Sequence, residues 1–409
     1  MKTGILFCLC LIALGAAPAS GQQSSDTFGI SFSGFVKTDM MYDTRQTVNV
    51  RDGHFMLYPM PEVFDANQVD VNDNPTFNML SIQTRLRGNI TGPDAFGAKT
   101  HGAIEGEFFG STNGDVNGFR LRHAFVNLDW GGTALLVGHT WHPMFVTGCF
   151  PGVVSFNTGV PFQPFSRNPQ LRLTQSVGDL NIIAVAASQR EFPSDGPDKA
   201  STTYLRNAII PNLHLQAQYA TGGSLFGAGV DYKSLMPRLV TEQNVSTDEQ
   251  ISAVSLIGYA KLALDPITIK VEGVMGNNLG DLLMLGGYAV SSMDETTGMA
   301  EYTPLGSYSM WGEIIYGKEV EMAVFAGFSQ NQGSADNVVG PYYARGANID
   351  NVLRVSPRVQ WTSGKTRIAT ELEYTAAAYG TPNDADKAAV ENTTTVSNVR
   401  LLVAVFYFF

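Results

Sequence analysis

Lys37, Arg85, Arg87, Arg120, Arg122, Arg172, Arg354, Arg358 and Arg367 stand at alternate positions of otherwise apolar segments. Asp39, Asp43, Glu105, Glu107, Glu371 and Glu373 share those alternate positions. Arginine is permanently charged and forks onto carboxylates, so a row of such forks favours an anionic solute passing over it. Arg85/Arg87 and Arg120/Arg122 each put two cations on one face, two residues apart. Such neighbours repel unless a carboxylate or a ligand sits between them. Two outcomes stay open: a basic ladder facing a solute, or arginines and glutamates pairing across adjacent strands.

Other chemistry has little to rest on. The chain contains no Gly-x-Ser-x-Gly, no phosphate-binding Walker loop and no Cys-x-x-Cys. Its serines, histidines and acids are too scattered to nominate a catalytic triad, so no enzyme is expected. His139 and His142 are three residues apart at a strand end, a spacing that does not make them converge on a metal. Asp65 to Asn74 is rich in oxygen ligands but lacks the glycine and closing glutamate of a calcium loop, and a solvated loop is the better reading. No metal and no cofactor are expected.

The elements that would position these charges are strands. From Ile30, the positions Ile30, Phe32, Gly34, Val36, Met40 and Tyr42 alternate with Ser31, Ser33, Lys37, Asp39 and Asp43. The same period of two recurs in Leu80, Ile82, Leu86 and Ile90 against Gln83, Arg85 and Arg87. It returns in Leu353 to Trp361 and in Ile368 to Tyr374. Many runs are about ten residues long, enough for a tilted strand to cross a bilayer. Short connections at Gly178-Asp179, Pro211-Asn212, Asp265-Pro266 and Ser363-Gly364-Lys365 alternate with long ones at 44–76, 277–305, 330–350 and 380–395. The last strand places Leu401, Val403, Val405, Tyr407 and Phe409 on one face, and resembles the terminal insertion signal of bacterial outer-membrane barrels.

These patterns predict an all-β, transmembrane, antiparallel barrel of about 16 to 18 strands, with short periplasmic turns and long extracellular loops. The upper count includes a strand over 236–244. With alternate residues facing lipid, 15% charged residues suffice, well under the roughly one quarter of soluble domains. A net charge of −11 argues against nucleic acid as a partner. Residues 1–21 read as a secretory signal peptide: Lys2, an apolar run from Ile5 to Ala17, then small residues suited to cleavage. Its removal leaves Cys149 as the one cysteine of a single barrel domain over 22–409, and a buried or loop thiol is expected. The stretch 142–167 is rich in Gly, Pro and Phe and nearly uncharged. It suits either a constriction loop folded into the barrel or a contact with a neighbouring subunit.

Gly34-Phe35-Val36-Lys37-Thr38-Asp39 resembles the first strand of the DcaP-like outer-membrane porins. Arg120-Leu121-Arg122-His123-Ala124-Phe125-Val126, followed by Leu136-Val137-Gly138-His139-Thr140-Trp141, is similar to the central strand pair of that family, with His139 where an amide is expected. Arg354-Val355-Ser356-Pro357-Arg358 and Tyr379-Gly380-Thr381-Pro382 add to the likeness. The resemblance spans the mature chain. It implies a trimeric diffusion channel of about 16 strands in the bacterial outer membrane. The basic interior would admit small anions such as dicarboxylates. Expected partners are outer-membrane lipid, lipopolysaccharide, further copies of the chain and small anionic solutes. Two rivals are a barrel enzyme of lipase or protease type and a plugged structural or adhesive barrel.

Overall fold

Every backbone amide and carbonyl placed in hydrocarbon needs a partner, and a sheet meets that demand only by closing on itself. The computed structural model describes residues 28–110 and 113–409, and the expected signal peptide lies outside them. Sixteen antiparallel strands close into one barrel. In order they are β1 (Gly29–Asp43), β2 (Thr76–Leu80 continued by Arg85–Thr91), β3 (Lys99–Glu107), β4 (Arg120–Asp129), β5 (Thr133–Trp141) and β6 (Arg167–Val177). Next come β7 (Leu180–Ala187), β8 (Asn212–Thr221), β9 (Ser224–Leu235), β10 (Ile251–Leu264) and β11 (Ile267–Asn277). The rest are β12 (Ala300–Gly317), β13 (Val320–Ser334), β14 (Ile349–Ser363), β15 (Thr366–Asn383) and β16 (Ala389–Phe408).

Closure pairs β1 with β16, from Phe35 opposite Phe408 to Asp43 opposite Arg400. The seam is tight at Gly34, where a Cβ would stand 2.1 Å from the Arg85 carbonyl oxygen. The alternation read from sequence sorts the two faces. Ile30, Phe32, Val36, Ile104, Leu353, Trp361, Leu372 and Tyr407 are exposed on the outer wall, whereas Lys37, Asp39, Glu105, Arg354 and Glu371 are buried inside.

The strand count is 16, the lower end of the expected range, because 236–244 is a loop with an isolated bridge between Val240 and Ser246. Three expectations need correction. Pro211-Asn212 is not a short turn: it ends the long 188–211 connection, and the tight turn nearby is Gly222-Gly223. The 380–395 stretch is a continuous hairpin, since β15 and β16 pair up to Asn383 and Ala389. Ile82 does not face lipid. A break at 81–84 resets the period of two, so Phe77 and Met79 point outward before it and Leu86 after it, while Ile82 turns inward.

Short turns gather at one end and long loops at the other, with both ends of the described chain on the short-turn side. Asp65, Asp70, Asp195, Asp248 and Asp294 lie in long connections, and Asp384 lies in the tip of the β15–β16 hairpin on the same side. Wall height is uneven: β5 and β7 have 9 and 8 residues, and β15 and β16 have 18 and 20, so one side rises far above the other. The interior is filled on the long-loop side. A small hairpin (Thr47–Val50 with Phe55–Pro59), the stretch 142–166 and the turn at 279–285 meet there in one apolar cluster. Phe55, Phe109, Phe156, Phe162, Phe165, Leu283 and Met284 belong to it. Each fully buried side chain of this size contributes about 1.5–3 kcal/mol, enough to hold loops of low charge inside a barrel.

Candidate functional site

The stretch 142–166 crosses the interior and is fastened to the opposite wall by carboxylates. Glu313 accepts the Gly152 amide at 2.8 Å, and Glu371 accepts the amides of Val154 and Ser155. Glu373 accepts Asn157 Nδ2 at 2.9 Å. Cations fasten its carbonyls: Lys37 Nζ reaches Val154 O at 2.9 Å, Arg354 Nη1 reaches Val160 O at 2.7 Å and Lys270 Nζ reaches Phe150 O at 2.9 Å. Arg354 also holds the inner hairpin through Leu57 O at 2.7 Å. Glu371, Glu373 and Arg354 therefore face inward yet are covered by the loops they hold. The thiol of Cys149 points to Ala260 O at 3.5 Å, and burial pushes it up to about 12.

Beneath the loop, toward the short turns, lies a cavity of about 750 Å³. Its cations are Lys37, Arg85, Arg87, Arg122, Arg172, Lys270, Arg358 and Arg367, and its carboxylates, among the described residues, are Glu105 and Glu321. Aromatic rings share the wall. Trp141 stacks on Phe145 at 3.8 Å, and Phe406 on Phe408 at 5.7 Å. Several cations sit over these rings, including Lys37 over Phe406 at 4.8 Å and Arg367 over Phe408 at 5.3 Å. Such contacts orient a cation without neutralising it.

The cations divide by partner. Arg122 bridges Glu105 at 2.7 Å and Glu107 at 2.5 Å and is almost fully buried. Arg120 bridges Glu107 at 3.2 Å and the 188–211 loop at Glu191, 2.8 Å. Arg85 bridges both glutamates of β3 at 3.4 and 3.2 Å and Arg87 bridges Glu105 at 3.1 Å, and the two remain 21% and 31% exposed. Arg358 bridges Glu313 and Glu321. For Arg120/Arg122 the intervening carboxylate is Glu107, which bridges both, so these two arginines pair across strands. Arg172 and Arg367 meet no carboxylate among the described residues: Arg172 bonds Gln170 Oε1 and Trp141 O, and Arg367 bonds Thr362 Oγ1.

Sequence reasoning missed Arg51, Arg167, Glu191, Lys270 and Glu313. Arg51 and Glu191 lie in long connections where no periodicity marks a face. Lys270 and Glu313 alternate correctly within β11 and β12 and were within reach of the same argument. Asp65 accepts the amides of Asn67 and Val69, and Asp70 accepts those of Val63 and Asn72 while pairing with Arg45 at 2.7 Å. Among the described residues, no helix is long and apolar enough to span a membrane.

This geometry, a sixteen-stranded barrel with an infolded loop, defines the outer-membrane porin fold. No protein-family model matches the chain, and no curated protein does. Among solved structures it is similar to the outer membrane channel DcaP of Acinetobacter baumannii, with a TM-score of 0.71, 16% identity, and coverage of 96% of this chain and 100% of that one. It is also similar to the anion-selective porin from Comamonas acidovorans (TM-score 0.54, 11% identity, 94% and 100% covered). A third similar structure is the trimer form of OmpT from Vibrio cholerae (TM-score 0.54, 12% identity, 94% and 100% covered). At these identities the likeness is one of fold.

Proposed function

We propose that the chain is an outer-membrane porin through which small hydrophilic anions, dicarboxylate-like in charge, diffuse passively. The observation that carries this is the cavity, where eight cations face two carboxylates. Rings of fixed charge and the width of the path set selectivity in such channels. The chain contributes electrostatics and solvation, with no covalent step, and so acts without being an enzyme. Long loops face outward and short turns face the periplasm, and the stretch 142–166 serves as the constriction. Arg172 and Arg367, with the partly exposed Arg85 and Arg87, bias anions along the bore, while Lys37, Arg358, Glu371 and Glu373 hold the loop and wall that narrow it. The low wall of short strands is the face for trimer contacts, and lipid and lipopolysaccharide cover the rest of the apolar belt.

The decisive test uses the two cations without acidic partners. In planar bilayers under a salt gradient, wild type should show an anion-directed reversal potential. Arg172→Ala/Arg367→Ala should shift it toward zero, because these charges are not cancelled locally. An unshifted potential would remove the basic bore from the mechanism. A second reading, a plugged barrel, is favoured by the apolar cluster that loops build across the long-loop side. Insertions that stay electrically silent would select it.

A further inference from the structure

Glu191 is held as a bound ligand would be held. Its Oε2 accepts Arg167 Nε at 2.8 Å and the Arg167 amide at 3.0 Å. Its Oε1 accepts Arg120 Nη2 at 2.8 Å, Arg51 Nη2 at 3.3 Å and Arg167 Nη2. Three guanidiniums from three separate parts of the chain thus converge on one carboxylate. Arg120 and Arg167 open β4 and β6 at their long-loop ends, and Arg51 stands in the turn of the inner hairpin. Arg51 and Arg167 are almost wholly buried, as is Glu191.

A clamp built only to fasten a loop would match donors to acceptors. This one has donors to spare. Arg51 Nη1, Arg167 Nη1 and Arg120 Nε are all buried without a hydrogen-bond partner. Buried donors in folded proteins nearly always find acceptors, so three left over in one cluster point to acceptor atoms that Glu191 does not supply. Charge is in excess too. The second acid in reach, Glu107, lies 3.2 Å from Arg120 and 3.9 Å from Arg167, but it is already shared with Arg85 and Arg122. The cluster also borders the cavity. Arg167 lies over the Trp141 ring at 4.7 Å, and the same ring lines the cavity.

We propose that Arg51, Arg120 and Arg167 form a carboxylate-binding site which the chain's own Glu191 occupies, and that a carboxylate solute takes the site by displacing the segment carrying Glu191. This rests on the channel reading above and adds a defined binding step to it. Glu191 acts as a tethered competitor. A dicarboxylate is the better ligand, since its second carboxylate can accept the donors that Glu191 leaves unmet. While the tether is seated, apparent affinity for solute is reduced by the fraction of sites it occupies.

The test is hydrogen–deuterium exchange on full-length wild-type protein in lipid nanodiscs, with succinate against chloride at matched ionic strength. Succinate should raise exchange over residues 188–195 and leave the barrel strands unchanged. Chloride should leave both unchanged. Calorimetry on Glu191→Gln, which keeps the side-chain shape but not the charge, should show succinate binding about tenfold tighter than wild type. Adding Arg120→Ala should remove that gain. Unchanged exchange over 188–195 together with unchanged succinate affinity in Glu191→Gln would make Glu191 a fixed clamp and overturn the proposal. If wild type proves electrically silent while Glu191→Gln still binds succinate more tightly, the site stands and the channel reading fails.

Discussion

At the scale of single residues, the interior charges differ in what surrounds them. Arg122 lies between Glu105 and Glu107 with almost no solvent contact. Removing it would take the nearest cation from two buried carboxylates, leaving them to the more distant Arg85, Arg87 and Arg120, and breaking a buried pair from one side costs about 3–5 kcal/mol. Arg122→Ala should therefore lower the midpoint of denaturant unfolding sharply. Arg367→Ala, which gives up a hydrogen bond to Thr362 and its place over the Phe406 and Phe408 rings but no ion pair, should lower it far less. Equal shifts would contradict the division into structural and free cations. Glu191 sets a pH dependence. Burial opposes its ionisation, but Arg167, then Arg120 and Arg51, outweigh that and hold its carboxyl well below the usual 4.5. Its folded value is depressed, so its contribution to stability is complete above 4.5 and is lost as pH falls through the depressed value. The 188–211 segment should stay docked at pH 4.5 and come away only in stronger acid. Glu191→Gln should abolish that transition, as read by exchange at the same residues. Cys149, held as a thiol by burial, should resist thiol reagents in the folded barrel and react after denaturation.

At the scale of elements, the infolded stretch 142–166 is the part whose position was open in sequence. Its scarcity of charge barred it from water but did not say whether the barrel or a neighbouring subunit would cover it. The covering came from residues far along the chain: Glu313, Glu371, Glu373 and Arg354. Glu371→Ala removes the acceptor for the Val154 and Ser155 amides and for the Ser356 hydroxyl. Single-channel recordings of that variant should show larger and noisier currents than wild type, and identical traces would mean that the loop does not set the bore. The strands were legible because their period of two survives in the list of residues. The exceptions have physical causes. The break at 81–84 inserts residues that reset the period, and the 236–244 segment forms an isolated bridge from Val240 to Ser246 in place of a strand of the wall.

At the scale of the whole molecule, the charges of an acidic chain are unevenly placed. The acids of the long connections lie at one end, and eight cations with two carboxylates line the cavity beneath the loop. Net charge therefore describes the long-loop end better than the cavity. The uneven wall has a consequence for assembly. Strands of 8 to 11 residues over β5 to β8 leave a low, apolar side that other copies can cover. Native mass spectrometry in mild detergent should therefore give a trimer, and a spectrum of monomers alone would remove that assembly.

The sequence by itself determined the closed antiparallel barrel, the alternation of lipid-facing and interior residues and the gathering of arginines inside. Each follows from a local period of two and from the need to pair every backbone group in hydrocarbon. Only the tertiary structure decided which arginines stay free. Pairing depends on which strands become neighbours and on where long loops return. Glu191 meets Arg51, Arg120 and Arg167 across separations that no local pattern records. The same closure set the strand number at 16, because it fixes how many segments the wall can hold and turns the remainder into loops that fill it.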